Sequence, residues 1–255
     1  MIIAFSLYSK IPMPAQVWDD DCAERAISFL PFIGIVIGAL SYMMLMLAGA
    51  LGLPVFFTTV ALTLIPVLVT GGFHLDGFLD VQDALHSYQP GEKKLEIMKD
   101  PHIGAFAVIS AGELLLVWMG FLYLAVSTYA YSGDLSLMYL YCISFVPARA
   151  LCAFTSIIFT KARKDGLLNM ETKKSRRGDL VFLILQGAAA IAAMLFINLK
   201  VTLLAIAVML IHLALYRRLC IRNFGGVTGD TAGFFVVSAE TALLILLGIC
   251  SVLAL

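Results

Sequence analysis

The sequence predicts an all-α protein: a polytopic helical bundle in a membrane, with about seven transmembrane helices and a short N-terminal interfacial or re-entrant helix. Three observations carry this expectation. Of 255 residues, 61% are hydrophobic and 13% charged, whereas a soluble domain is about half apolar and about a quarter charged. The mean hydropathy is +0.97. The apolar residues also fall in long runs, near 29–51, 55–70, 105–130, 135–160, 180–198, 201–216 and 232–254, close to the length that crosses a bilayer.

The elements follow in chain order. Residues 1–9 are apolar but too short to span, and they lack the basic leader and small-residue cleavage site of a cleaved signal. Gly52-Leu53-Pro54 is a turn signal between the first two spans. Gly71-Gly72 breaks the second span, and the helix expected after it carries Asp76, Asp80 and Asp83 at i, i+4 and i+7. Pro101 and Gly104 end a further helix before the third span. Asn198-Leu199-Lys200 turns the chain between two later spans, and a glycine-rich stretch from Asn223 to Gly233 precedes the last. No internal repeat is evident, and residues 1–255 read as a single domain.

Charge placement orients the bundle. Segments 10–26, 71–104, 161–179 and 217–231 hold 15 of the 17 Lys and Arg residues; Arg149 lies inside a span and Lys200 in a tight turn. Alternating the spans puts all four segments on one side, which the positive-inside rule makes cytoplasmic. The expected location is therefore the cell (inner or plasma) membrane, multi-pass, with cytoplasmic catalytic loops at 71–104, 161–179 and 217–231. Zero net charge and the lack of a basic-aromatic repeat exclude nucleic acid as the partner. Cys22, Cys142, Cys152, Cys220 and Cys250 show no metal-ligand spacing and read as small buried hydrophobes.

Three segments carry chemistry. The first is Gly71-Gly72-Phe73-His74-Leu75-Asp76-Gly77 with Asp80 and Asp83. Two carboxylates about 4 Å apart repel by roughly 4 kcal/mol at an effective dielectric near 20. Such a face is either well solvated or a nest for a hard divalent cation, and no basic residue at i+4 offsets it. The second is Glu96-Ile97-Met98-Lys99-Asp100, either an exposed helix end or an extension of the same site. The third is Gly225-Gly226-Val227-Thr228-Gly229-Asp230, where flexible backbone and a helix N-terminus suit phosphate oxygens, unless Asp230 is an ordinary N-cap. The basic stretch Lys161 to Arg177, with Arg163, Lys164 and Asp165, sets topology or grips a nucleotide phosphate. Glu113, Arg149 and Glu240 lie within spans, where charge is expensive. Arg149 either binds phosphate or neutralises one of the two glutamates. His212 reads as structural.

Together these segments resemble the adenosylcobinamide-GDP ribazoletransferase (cobalamin or cobalamin-5′-phosphate synthase) family nearly end to end. The likeness starts at Lys10-Ile11-Pro12-Met13-Pro14. It continues through the Gly71–Asp83 and Glu96–Gly104 segments, Arg149, Ala162-Arg163 and Gly166-Leu167. It closes with Gly225-Gly226, Thr228-Gly229-Asp230, Gly233 and Glu240. Leu79, Ala84, Phe106, Ala107 and Val237 depart from the common pattern, while the core acids are intact.

The resemblance implies a transferase of cobalamin biosynthesis that joins adenosylcobinamide-GDP to α-ribazole or α-ribazole 5′-phosphate and releases GMP. It also implies Mg²⁺ as cofactor, held by Asp76, Asp80, Asp83 and Asp230. Asp83 is the expected general base, with Asp80 also catalytic and Asp100 a second candidate. His74, Glu96, Lys99, Arg149, Arg163, Arg222, Gly225, Gly226 and Thr228 are the expected substrate contacts. The partners are these substrates and the lipid bilayer, and a homo-oligomer is compatible with the reading. Two alternatives stay open on the residues alone. One is a CDP-alcohol-type phospholipid phosphotransferase, although the two further aspartates after Ala-Arg in that signature are missing. The other is a cation- or proton-coupled transporter using Glu113, Arg149 and Glu240.

Overall fold

A computed structural model describes residues 1–14, 25–163 and 166–254, apart from the side chain of Leu167. Cys22, Lys164 and Asp165 lie outside the described residues. Among these residues the fold is all-helical, and the one β-bridge joins Lys161 to Val227. The helices are α1 Ile2–Tyr8, α2 Leu30–Leu51, α3 Val55–Thr70, α4 Phe73–His86, α5 Gly91–Ile97 and α6 Ala105–Ser132. They continue as α7 Ser136–Ile158, α8 Leu167–Thr172, α9 Arg177–Ile197, α10 Leu199–Phe224 and α11 Gly229–Leu253.

Among the described residues, six helices are long and apolar enough to cross a membrane: α2 with the 3₁₀ turn before it, α6, α7, α9, α10 and α11. The bent pair α3–α4 makes up to seven, as the apolar runs predict. Its bend of 93° follows from Gly71 and Gly72, whose φ values of 62° and 81° fall where a side chain is strained. We read α3 as the crossing arm and α4, with its three aspartates, as the arm that turns along the surface. Pro66 inside α3 has no N–H to offer the Leu62 carbonyl. The Tyr141 hydroxyl of α7 donates to that carbonyl instead, at 3.2 Å.

The most buried helix is α7, enclosed by α2, α9 and α11; α11 in turn packs on α4, α6 and α10. Outer α9 and α10 show long apolar faces, as expected where lipid is the solvent. The short N-terminal helix is present, and α1 buries Ala4 and Tyr8 against the bundle.

Contacts between the charged segments place all four at one end. Lys10 N–H donates to the Val69 carbonyl at 2.8 Å, beside the α3–α4 bend. Arg25 pairs with Asp179 at 2.7 Å, and Lys94 Nζ donates to Asn223 at 2.6 Å. Arg163 donates to the Leu95 carbonyl. The bridge at Lys161 and Val227 is held by Ala162 N–H to Val227 O and Val227 N–H to Thr160 O, both 2.9 Å.

The charged segments are more helical than a loop reading allows. Leu and Arg are good helix formers and no Gly or Pro interrupts the run, so α10 runs past Arg217, Arg218 and Arg222 and stops only at Gly225, φ 74°. Little more than Gly225–Thr228 separates it from α11.

Candidate active site

The site forms where α4 meets the start of α11. Gly77 makes the approach possible: an added Cβ would stand 2.8 Å from the Asp230 carbonyl oxygen and 2.9 Å from its Cα. Asp76, on one side of this contact, is exposed, while Asp80 and Asp230 are half-buried. Thr228 caps α11, its hydroxyl accepting from Thr231 N–H at 3.1 Å, and lies 3.5 Å from Asp230 Oδ2.

A cavity of about 290 Å³ opens over this junction. Asp76 and Asp230 line it together with Lys99, Lys161 and Arg163; Gly77, Val227, Thr228 and Gly229 and the apolar Phe73, Met98 and Leu168 line it too. The loop and the basic stretch are locked together because Gly226 lacks a side chain; a Cβ there would meet Thr160 O at 2.4 Å and Ala162 N at 2.6 Å. That contact sets Lys161 and Arg163 beside the Asp230 turn. Acids and cations in one cavity suit a diphosphate: the cations take its oxygens, and the acids take a counter-cation or a proton.

Asp80 has the most distinctive electrostatics. Burial, and then the Asp76, Asp230 and Asp83 carboxylates, push its carboxyl up to about 7. Carboxylates gathered around a half-buried acid favour a hard cation. No three His, Cys, Asp or Glu side chains among the described residues stand close enough, as placed, to ligate one ion. The donor chemistry fits Mg²⁺ through Asp76, Asp80 and Asp230, which would have to turn toward a common point.

Asp83 has another task. Its carboxylate accepts from Gly104 N–H at 2.7 Å and Ala107 N–H at 2.8 Å. It thus caps the N-terminus of α6 from a distance and satisfies amides that a helix start leaves orphaned. It belongs to the acid cluster through Asp80, and neither Asp80 nor Asp83 is among the residues that line the cavity.

The other expected site residues divide. Lys99, Arg163 and Thr228 line the cavity, and Gly225 and Gly226 shape its loop. Glu96 and Arg222 are exposed and off its lining. Asp100 is exposed too; hydrogen bonds from His102 N–H and the His102 ring hold its carboxyl below the usual range. His74 and Arg149 are buried elsewhere, and Arg149 pairs with Glu240 across α7 and α11. The pairing is the neutralising contact that one of the two readings of Arg149 expects, and Arg149 does not line the cavity at the α4–α11 junction. Glu113 is exposed on α6, so the three intramembrane charges do not line one path, as a transporter would need. Sequence reasoning missed Asn169, Met98 and Leu168 in the lining; only the position of Asn169, three residues after Gly166 in the basic stretch, hints at it.

Comparisons with known proteins bear on the chemistry. The sequence model of the family described as cobalamin-5-phosphate synthase matches residues 1–248. A protein of Lachnoclostridium phytofermentans named adenosylcobinamide-GDP ribazoletransferase is 35% identical over 239 residues, 93% of this chain and 88% of its own length. Proteins of the same name from Clostridium botulinum and Clostridium perfringens are 33% and 31% identical, each over at least 93% of both chains. No significant match exists among solved structures.

Proposed function

The chain belongs to the cobalamin-5-phosphate synthase family, and from that premise we propose how the junction of α4 and α11 carries out the transfer. The activity is that of an adenosylcobinamide-GDP ribazoletransferase, the step that completes the nucleotide loop of cobalamin. The observation that supports this location is the cavity that Asp76 and Asp230 line together with Lys99, Lys161 and Arg163. It offers charges of both signs to a diphosphate and to an incoming alcohol.

In this reading the ribose 3′-hydroxyl of α-ribazole, free or as its 5′-phosphate, attacks the phosphorus attached to the corrinoid's aminopropanol arm. The new P–O bond forms as the diphosphate P–O bond breaks, and GMP leaves in line. Asp80, half-buried among the Asp76, Asp230 and Asp83 carboxylates, takes the hydroxyl proton. Lys99, Lys161 and Arg163 hold the phosphate oxygens and offset the charge that grows on the leaving GMP. Asp76, Asp80 and Asp230 would hold Mg²⁺, which supplies charge neutralisation across the diphosphate. Asp83 fixes α6 and thereby the direction of α4. The positive-inside distribution of Lys and Arg supports a cytoplasmic face for this end of the bundle, in the cell's inner or plasma membrane.

Purified protein given adenosylcobinamide-GDP, α-ribazole and Mg²⁺ should yield a cobalamin product and equimolar GMP by chromatography. EDTA should stop the reaction and added Mg²⁺ should restore it. Turnover indifferent to EDTA would remove the metal from this account.

A further inference from the structure

The cavity at the α4–α11 junction holds more than charge. Among the described residues, Phe73 is the one aromatic in its lining. The other large apolar side chains there are spent on packing: Met98 and Leu168 are each 5% exposed, whereas Phe73 is 40% exposed. Two buried rings brace it. Tyr8 of α1 meets the Phe73 ring at 5.7 Å between centroids with the planes at 62°, and His74 meets it at 5.3 Å and 87°. Both are edge-to-face contacts of the kind aromatic rings prefer. Holding a diphosphate needs no such ring.

Placement narrows what the ring meets. Phe73, Asp76 and Asp80 stand at i, i+3 and i+7 of α4, on one face of the helix. Seven residues rise about 10 Å, the order of a nucleoside's length. In an in-line transfer the attacking ribose and the leaving nucleotide lie on opposite sides of the phosphorus. With the proton acceptor on α4, the attacking nucleoside approaches from the α4 side and guanosine departs away from it. The chemistry agrees. The outer edge of dimethylbenzimidazole, the base of α-ribazole, is carbon and methyl, so an apolar ring serves it. Guanine carries donors and acceptors at its edge that call for polar partners.

We propose that Phe73 is the specificity-determining residue for the attacking nucleoside. The dimethylbenzimidazole of α-ribazole stacks on it while the ribose 3′-hydroxyl reaches the α4 acids. This rests on the α4–α11 cavity being the transfer site. A membrane-surface anchor is the other use for an aromatic beside the α3–α4 bend, and an anchor does not read the base.

A cycle between residue and ring tests it. Initial rates are measured for wild type, Phe73→Leu and Phe73→Tyr with adenosylcobinamide-GDP and Mg²⁺. The second substrate is α-ribazole or the α-riboside of imidazole, which lacks the fused carbocycle. Wild type should prefer α-ribazole in kcat/KM by roughly tenfold or more, the worth of one base–aromatic stack. Phe73→Leu should raise KM for α-ribazole by a similar factor and erase most of the preference, with KM for adenosylcobinamide-GDP little changed. Phe73→Tyr, which keeps a stacking face, should keep the preference. Phe73→Met takes the place of Phe73→Leu where the latter does not give monodisperse protein. Equal losses for the two ribosides, or a rise in KM for adenosylcobinamide-GDP in place of α-ribazole, overturns the proposal. Arg163→Ala, run alongside, separates the causes. If its KM for adenosylcobinamide-GDP does not rise, the cavity is not the site and the Phe73 platform falls with it. If it does rise while Phe73→Leu is unselective, the platform alone falls.

Discussion

At the scale of single residues, two aspartates one turn apart do different work. Burial, and then three neighbouring carboxylates, raise the Asp80 carboxyl to about 7. Asp83 spends both oxygens on the first amides of α6. Asp83→Ala should therefore behave as the loss of a helix cap, lowering stability by about 1–2 kcal/mol and reducing turnover without abolishing it. Thermal unfolding and initial rates on one preparation check this; turnover falling to background with an unchanged melting temperature would make Asp83 the base instead. Arg163→Ala removes a charged donor from the cavity wall. It should raise KM for adenosylcobinamide-GDP by roughly 10- to 100-fold, with a smaller effect on KM for α-ribazole, measured by steady-state kinetics. The acidic face was legible in the sequence because helical spacing is local. The capping role of Asp83 was not, since its partners lie 21 and 24 residues away and depend on where α6 begins in space. The same holds for Arg149, whose partner Glu240 is 91 residues on.

At the scale of elements, the site depends on how closely α4 and α11 approach. Gly77 stands where any side chain would meet the Asp230 backbone. Gly77→Val should push α11 away, cost about 1–3 kcal/mol as an overpacked contact, and separate Asp76 from Asp230. Both the melting temperature and GMP release should fall; full activity in this variant would show that the α4–α11 spacing does not set the chemistry. The spans themselves were readable from apolar run length, and the α3–α4 bend from Gly71-Gly72. The extension of α10 through Arg222 was not. Charge marks a segment as outside the apolar layer, yet a charged helix can project from the membrane without breaking, and only Gly225 with its positive φ marks the true end.

At the scale of the whole molecule, four charged segments separated along the chain meet at one end of the bundle. Single-cysteine variants at exposed Lys93 and at Tyr131, on the opposite turn, should label with an impermeant reagent from opposite sides of the membrane. Lys93→Cys should react only where the cytoplasmic face is open. The N-terminal helix contributes to the same end. The carboxyl of Glu171 in α8, buried near Tyr8 of α1, is raised by that burial from 4.5 to about 7. The folded state then holds a proton that the unfolded chain releases, so the contribution of Glu171 to stability is fully present below about pH 4.5 and is lost as pH rises through about 7. Glu171→Gln should flatten this dependence and stabilise the protein at pH 8, as read by thermal unfolding in detergent. An unchanged pH profile would place the carboxyl in a wetter setting than the fold shows.

The convergence of acids on Asp80 is the feature on which the catalytic account turns. Release of GMP from adenosylcobinamide-GDP by Asp80→Asn protein, inserted and with wild-type melting behaviour, tests it most directly. The account predicts release at background level with α-ribazole and Mg²⁺ present. Turnover near that of the wild type would contradict it.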